Sequence, residues 1–175
     1  MRMKFKMTYF LPVILLFLIA CGRQEHQQQK NNTPSENVLM ETNRYLAEKD
    51  GERITSYIQR HGWNMQHTGT GLWYEIYVHG TGTPVTQGRQ VTLDYTLSLL
   101  DGTVCYSSET AGPKSFTAGR GGVEAGLEQG VLMLREGDRA RFILPPWLAY
   151  GVPGDRNKIP PRSVIVYDVK ILSVK

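Results

Sequence analysis

Val91-Thr92-Leu93-Asp94-Tyr95-Thr96-Leu97-Ser98-Leu99 is the stretch on which the fold turns. Apolar side chains at 91, 93, 95, 97 and 99 alternate with polar ones between them. That period of two marks a strand with one face in a core and the other toward water. Asp101-Gly102 then turns the chain back into Thr103–Tyr106. Upstream, Leu72–Val78 is rich in β-formers and ends at Gly80-Thr81-Gly82; downstream, Arg139–Leu144 and Val164–Val174 read as further strands. A short helix is predicted over Val123–Gly130, with Val123 and Leu127 on one face. The expected class is α+β: an antiparallel sheet with one short helix to cover it.

The chain has 175 residues, 41% of them apolar and 21% charged, which fits one domain with extensions. That composition excludes collagen-like, coiled-coil and wholly disordered classes. Two cysteines exclude a disulfide-stapled miniprotein and a structural zinc cluster. The formal charge of +4 overstates the basic character, because Arg2, Lys4 and Lys6 precede the first apolar run. Without them 17 basic residues face 16 acidic ones, a net +1. Such a balance gives no electrostatic reason to bind nucleic acid.

The basic start and the apolar run Phe10–Ala20 have the dimensions of a secretory signal, too short to span a bilayer. Leu18-Ile19-Ala20-Cys21-Gly22 resembles a bacterial lipobox, which makes residues 1–20 a lipoprotein signal peptide and Cys21 the lipidated residue. Lipidation of Cys21 leaves Cys105 without a disulfide partner. Residues 21–36 are expected to be a tether: Gln24–Thr33 holds four Gln, two Asn and no large apolar side chain, so ordering it has little to offset the entropy. Thr33-Pro34-Ser35-Glu36 starts a helix with Val38, Leu39, Thr42, Tyr45 and Leu46 on one face. Asp50-Gly51 is expected to break or kink it, and Ile54, Tyr57, Ile58 and His61 repeat the pattern up to a Gly62 cap. Residues 37–68 thus read as a helical hairpin, either a dimerisation or partner surface or an appendage packed on its own domain. His61, His67 and His79 lack metal-ligand spacing and read as surface residues.

No conventional catalyst emerges. Gly-x-Ser-x-Gly, a phosphate-cradling Gly-x-x-x-x-Gly-Lys and His-Glu-x-x-His are all missing, and Gly119-Arg120-Gly121-Gly122 lacks the βαβ context of a nucleotide loop. Cys105 sits in a strand-like run with no His near it, which favours a buried thiol over a nucleophile. What remains is a supply of aromatic residues, Tyr95, Tyr106, Phe116, Trp147, Tyr150 and Tyr167, two of them on the long loop Pro145–Arg162 with its five prolines. Such a set builds an apolar pocket with a few hydroxyls, a binding site and not an acid/base site. No metal or cofactor is called for.

Val91–Thr96, Leu100-Asp101-Gly102, Tyr106-Ser107-Ser108, Gly126-Leu127-Glu128-Gln129-Gly130, Leu134–Asp138, Ala149-Tyr150-Gly151 and Ile159-Pro160-Pro161 resemble, in order and spacing, the FKBP-type peptidyl-prolyl isomerases. The core of the match is residues 87–175, within a domain placed at 69–175. The resemblance implies an antiparallel sheet curved around the short helix. Together with the lipobox and hairpin, Thr68–Tyr74 further resembles the gliding-motility-associated lipoproteins of that family.

Carried over by position, the resemblance implies that Tyr95, Phe116, Tyr150, Ile159 and Tyr167 form the catalytic set, with Cys105, Tyr106, Val123 and Leu127 contacting substrate. Tyr150 would donate its hydroxyl to a substrate carbonyl, and the Ile159 N–H would donate to another. The chain departs from the family where a floor tryptophan falls at Leu127, a Phe-Asp pair at Cys105-Tyr106, and a frequent apolar residue at Glu124. The missing triad agrees with this chemistry. The barrier to amide rotation, about 18–20 kcal/mol, is lowered by a dry pocket that favours the twisted amide, with no nucleophile. The expected function is a lipid-anchored prolyl isomerase of a bacterial envelope, facing the periplasm and acting on proline-containing exported clients. The alternative is a catalytically weak binding or scaffold module of an envelope machine. Oligomeric state is left open.

Overall fold

The computed structural model describes residues 35–175. The signal segment, Cys21 and nearly all of the tether lie outside the described residues. Seven strands form one antiparallel sheet: β1 (Gln66–His67), β2 (Trp73–Val78), β3 (Gln90–Leu99), β4 (Val104–Ser107), β5 (Lys114–Thr117), β6 (Arg139–Leu144) and β7 (Ile165–Val174). Among the described residues three helices accompany them, α1 (Glu36–His61), α2 (Ser108–Ala111) and α3 (Ala125–Val131), with a 3-10 turn at Pro146–Leu148. The spatial order is β1-β2-β6-β7-β3-β4. β3 pairs β7 from Val91↔Val174 to Leu99↔Ile165. On its other edge the first half of β3 pairs β5 and the second half pairs β4.

The alternation in β3 does what it predicts. Val91, Leu93, Tyr95 and Leu97 are buried on one face and meet Tyr167, Val169 and Ile171 of β7 and Leu127 and Val131 of α3 in a single core. Helix α3 lies very close to β6. A Cβ built on Gly126 would fall 2.4 Å from Leu144, and one on Gly130 would fall 2.6 Å from the Phe142 ring. Phe142 and Leu144 are fully buried and have nowhere to retreat. The glycines at i and i+4 are therefore what lets the helix backbone touch the sheet. The helix begins at Ala125, not at Val123: Gly121 and Gly122 carry φ of +78° and +94°, so Val123 packs on the core from the loop.

The expected hairpin is not formed. α1 runs unbroken through Asp50-Gly51 for 26 residues. A glycine costs a helix interior roughly 0.5–1 kcal/mol, whereas burying Ile54 and Ile58 contributes roughly 1.5–3 kcal/mol each. Those two, with Tyr57, pack on Ile143, Val164 and Val166, the faces of β6 and β7 turned away from α3. Tertiary burial outweighs the local break. Phe142-Ile143-Leu144 reads as a continuous apolar run because β6 is covered on both faces. Of the two apolar stripes on α1, the second is the one that docks; Leu39, Met40 and Tyr45 are exposed. Asp50, buried, pairs with Arg162 at 3.1 Å and so links α1 to the end of the long loop. Gly62, at φ +64°, closes the helix as its position predicts. Residues 66–67, expected in the hairpin, belong to the sheet as its edge strand.

Two alanine substitutions should move stability in opposite directions. Gly51→Ala enters open space on a helix and should stabilise by roughly 0.5–1 kcal/mol. Gly130→Ala gains the same helix propensity but drives a methyl into the Phe142 ring, an overpacking cost of typically 1–3 kcal/mol. It should be net destabilising. Urea unfolding midpoints of the two variants check the contrast.

Candidate functional site

The long loop closes over one end of the inner core, and the expected site residues meet there. Tyr95, Cys105, Leu127, Ile159 and Tyr167 are buried members of the inner core, while Tyr106, Phe116, Val123 and Tyr150 pack against it half-buried. β3 supplies Tyr95 and β7 supplies Tyr167, whose rings lie 6.1 Å apart and tilted. The loop brings Tyr150 and Ile159 against them. All nine positions thus belong to this core or pack on it, with Tyr106, Phe116, Val123 and Tyr150 partly exposed.

Three contacts differ from expectation. The Ile159 N–H does not point to an open substrate position: it donates to Asp155 Oδ1 at 2.8 Å, as does the Asn157 N–H. Asp155 Oδ2 accepts from the Tyr106 hydroxyl, and Asn157 Nδ2 donates to that same hydroxyl at 3.2 Å. Tyr106 thus anchors the loop to β4. Cys105 is 2% exposed, with Sγ directed at the Lys158 carbonyl at 3.5 Å. It is loop support and not substrate surface, and burial, with Asp155 and Asp101 nearby, pushes its thiol pKa up. An inert thiol follows.

The residues that sequence reasoning missed are charged. Lys114 on β5 extends over the Tyr95 ring at 5.0 Å, and its Nζ lies 3.4 Å from the Tyr167 hydroxyl. Its position was legible: Lys114 and Phe116 are two apart on a strand and so share a face. Glu124, noted from sequence only as a departure, is buried, and its Oε1 accepts from the Tyr150 hydroxyl. Burial, and next the carboxylate of Glu124, push both the Tyr150 and the Tyr167 pKa far above the ordinary phenol value. Both hydroxyls stay protonated at any physiological pH.

The architecture is an antiparallel sheet against a short helix, with aromatic side chains of β3, β5, β7 and the proline-rich loop gathered on one core. Residues 81–172 match the FKBP-type peptidyl-prolyl cis-trans isomerase family, and the chain belongs to it. The probable FKBP-type isomerase FkpA of Neisseria meningitidis serogroup B is 39% identical over 108 residues, which are 61% of this chain and 39% of that protein. Fkbp12 of Drosophila melanogaster is 43% identical over 89 residues, 50% of this chain and 82% of the relative. The crystal structure of FkpA from Escherichia coli aligns with TM-score 0.64 at 30% identity, over 79% of this chain and 64% of that one. AtFKBP13 aligns with TM-score 0.61 at 30% identity, over 64% of this chain and 99% of its own. The chain thus spans about two fifths of the length of the Neisseria relative.

The loop should loosen in acid. Burial raises the Asp155 pKa, but the hydrogen bonds from Tyr106 and from the Ile159, Asn157 and Lys158 amides outweigh it and hold the group below its ordinary 3.8. A carboxyl depressed in the folded state stabilises fully above its unfolded pKa, and that contribution fades as pH falls through the folded one. Amide exchange at Asn157 and Ile159 should accelerate below about pH 4, relative to the β3 amides, in wild type. In Asp155→Asn it should already be faster at pH 6.

Proposed function

We propose that the protein is a membrane-tethered peptidyl-prolyl cis-trans isomerase that assists folding of exported proteins, anchored through Cys21 and facing the periplasm of a bacterial envelope. The observation that supports the isomerase part is that Tyr95, Leu127, Ile159 and Tyr167 share one core cluster, with Val123 and Tyr150 packed half-buried against it. Tethering rests on the lipobox and polar tract; the export role rests on that address and on likeness to the FkpA proteins. Xaa-Pro bonds are the natural substrate, because their two isomers differ by only about 0.5–1 kcal/mol and exchange in tens to hundreds of seconds. Catalysis then requires only that the pocket bind the twisted amide better than either planar form. An apolar wall accepts the proline ring, and a Tyr150 hydroxyl turned toward substrate would stabilise a carbonyl as resonance is lost.

A second reading, a binding or scaffold module of an envelope machine such as one for gliding or secretion, is favoured by the engagement of Tyr150 with Glu124. A protease-free isomerisation assay on a Xaa-Pro peptide separates the two. The isomerase should accelerate exchange with a rate nearly flat from about pH 6 to 8, because the pocket phenols keep their protons across that range. Tyr150→Ala, which removes pocket wall along with the hydroxyl, should lose most of the activity while circular dichroism remains unchanged. No acceleration by the folded wild type would leave the scaffold reading.

The family's macrolide inhibitors should bind weakly. Leu127 in place of a floor tryptophan offers less ring to stack on, a loss of order 1–2 kcal/mol on the scale of buried apolar side chains. Glu124 adds a carboxylate where the family frequently has an apolar residue. Calorimetry should find affinity well short of nanomolar.

A further inference from the structure

Lys114 and Glu124 carry charge into an otherwise apolar cluster, and their geometry bears on how the site works. The Glu124 side chain is 6% exposed. Its Oε1 accepts from Tyr150, while its Oε2 is buried and has no hydrogen-bond partner. Lys114 Nζ stands 3.9 Å from Oε2, about 1 Å beyond the length of a charge-assisted hydrogen bond. The ammonium is meanwhile held over the Tyr95 ring and near the Tyr167 hydroxyl. A hydroxyl given to an ionised carboxylate makes a bond roughly twice as strong as one given to a neutral carbonyl. A substrate carbonyl therefore cannot win Tyr150 from Glu124 by itself. It can do so if the carboxylate finds another donor; the Tyr167 hydroxyl already bears on Glu124, and Lys114 is the cation within reach.

We propose that Glu124 is a positioning residue that holds the Tyr150 hydroxyl off the substrate, and that Lys114 takes over the carboxylate when Tyr150 turns to a substrate carbonyl. This rests on the prolyl-isomerase reading of the pocket. It makes the resting site self-restrained: the donor needed in the twisted state is spoken for until substrate and Lys114 together release it. A role for the pair in core stability alone would leave catalysis by Tyr150 independent of Glu124.

The experiment is a double-mutant cycle on the purified full-length protein, read as kcat/KM on a Leu-Pro peptide. Glu124→Ile should raise kcat/KM by roughly tenfold, the worth of one neutral hydrogen bond at its upper end, and Glu124→Gln by less. Tyr150→Phe should cost the parent about twofold and the Glu124→Ile protein about tenfold. Additive effects would overturn the proposal. Should Glu124→Ile fail to fold, Glu124→Gln carries the same cycle. An activity-free readout runs beside it: the ring Cζ resonance of Tyr150 in ¹³C-labelled tyrosine, assigned by its loss in Tyr150→Phe. That resonance should move in Glu124→Gln, and a resonance that stays put overturns the proposal whatever the kinetics. If neither the parent nor any variant accelerates isomerisation, the isomerase reading fails, and the resonance alone decides whether Glu124 holds Tyr150.

Discussion

Helix α3 touches β6 with only glycine Cα atoms at its nearest points, and the architecture of the inner core follows from that approach. Gly126 sits on Leu144 and Gly130 on Phe142, at distances where no Cβ fits. With the helix that low, Leu127 and Val131 reach fully into the core shared with β3 and β7. The loop before the helix is drawn in as well, and it is this loop that carries Val123 and Glu124. A helix raised by even one methyl would lift Glu124 away from Tyr150 and widen the pocket from below. Packing density of this kind is intolerant of added volume, so the placement of Leu127 and of the loop carrying Glu124 is set by two glycines that lie against β6.

The roof is set differently, by polar ties. Loops of this length are seldom ordered without a purpose, and this one is held at three places. Asp155 gathers the Tyr106 hydroxyl and the Asn157 and Ile159 amides. Cys105 Sγ meets the Lys158 carbonyl. Arg162 donates its N–H to the Gly151 carbonyl and pairs through its guanidinium with Asp50 of α1. The helix that covers the outer face of the sheet therefore also fixes the far end of the loop that covers the pocket. Burial raises the Asp50 pKa while Arg162 and Arg53 oppose it, the balance expected of a carboxylate kept in place by a partner and not by water. Since α1 is joined through Asp50 to the loop and through Ile54 and Ile58 to β6 and β7, it is part of the site's scaffold.

Much of this was legible in the sequence, for reasons that can be named. The period of two in Val91–Leu99 survives folding because one face of β3 packs on α3 and the other does not, so strand and pairing were readable from burial alone. The pocket aromatics were readable because rings of that size in a strand and a proline-rich loop have few places to go. The break at Asp50-Gly51 was misread because propensity is local, and the decisive term, burial of Ile54, Tyr57 and Ile58 against Ile143 and Val166, is between residues nearly ninety apart or more. The Ile159 amide was misassigned because Asp155, two residues before Asn157 in a Pro-Gly-Asp turn, takes both amides as an Asx-turn does. Lys114 was within reach of the pattern, since it shares a strand face with Phe116, but a lysine in a half-buried strand is ordinarily read as solvated.

The charge pair is where the physics of burial and of catalysis meet. A carboxylate taken out of water must be compensated nearby, and here the resting compensation comes from Tyr150, with Lys114 at 3.9 Å as a looser partner. The strength of that second attraction depends on the medium, for the same separation is worth several-fold more as the local dielectric falls. On the proposed isomerase reading, a proline ring bound beside Tyr95 and Tyr150 would displace water from around Lys114, whose side chain is 26% exposed. On that reading substrate would strengthen the Lys114–Glu124 attraction by its own arrival, at the moment when Tyr150 is wanted elsewhere. On this reasoning the polar floor need not defeat a reaction that prefers a dry pocket. It ties the release of the tyrosine to the exclusion of water, so that the donor becomes free only when an amide is present to receive it.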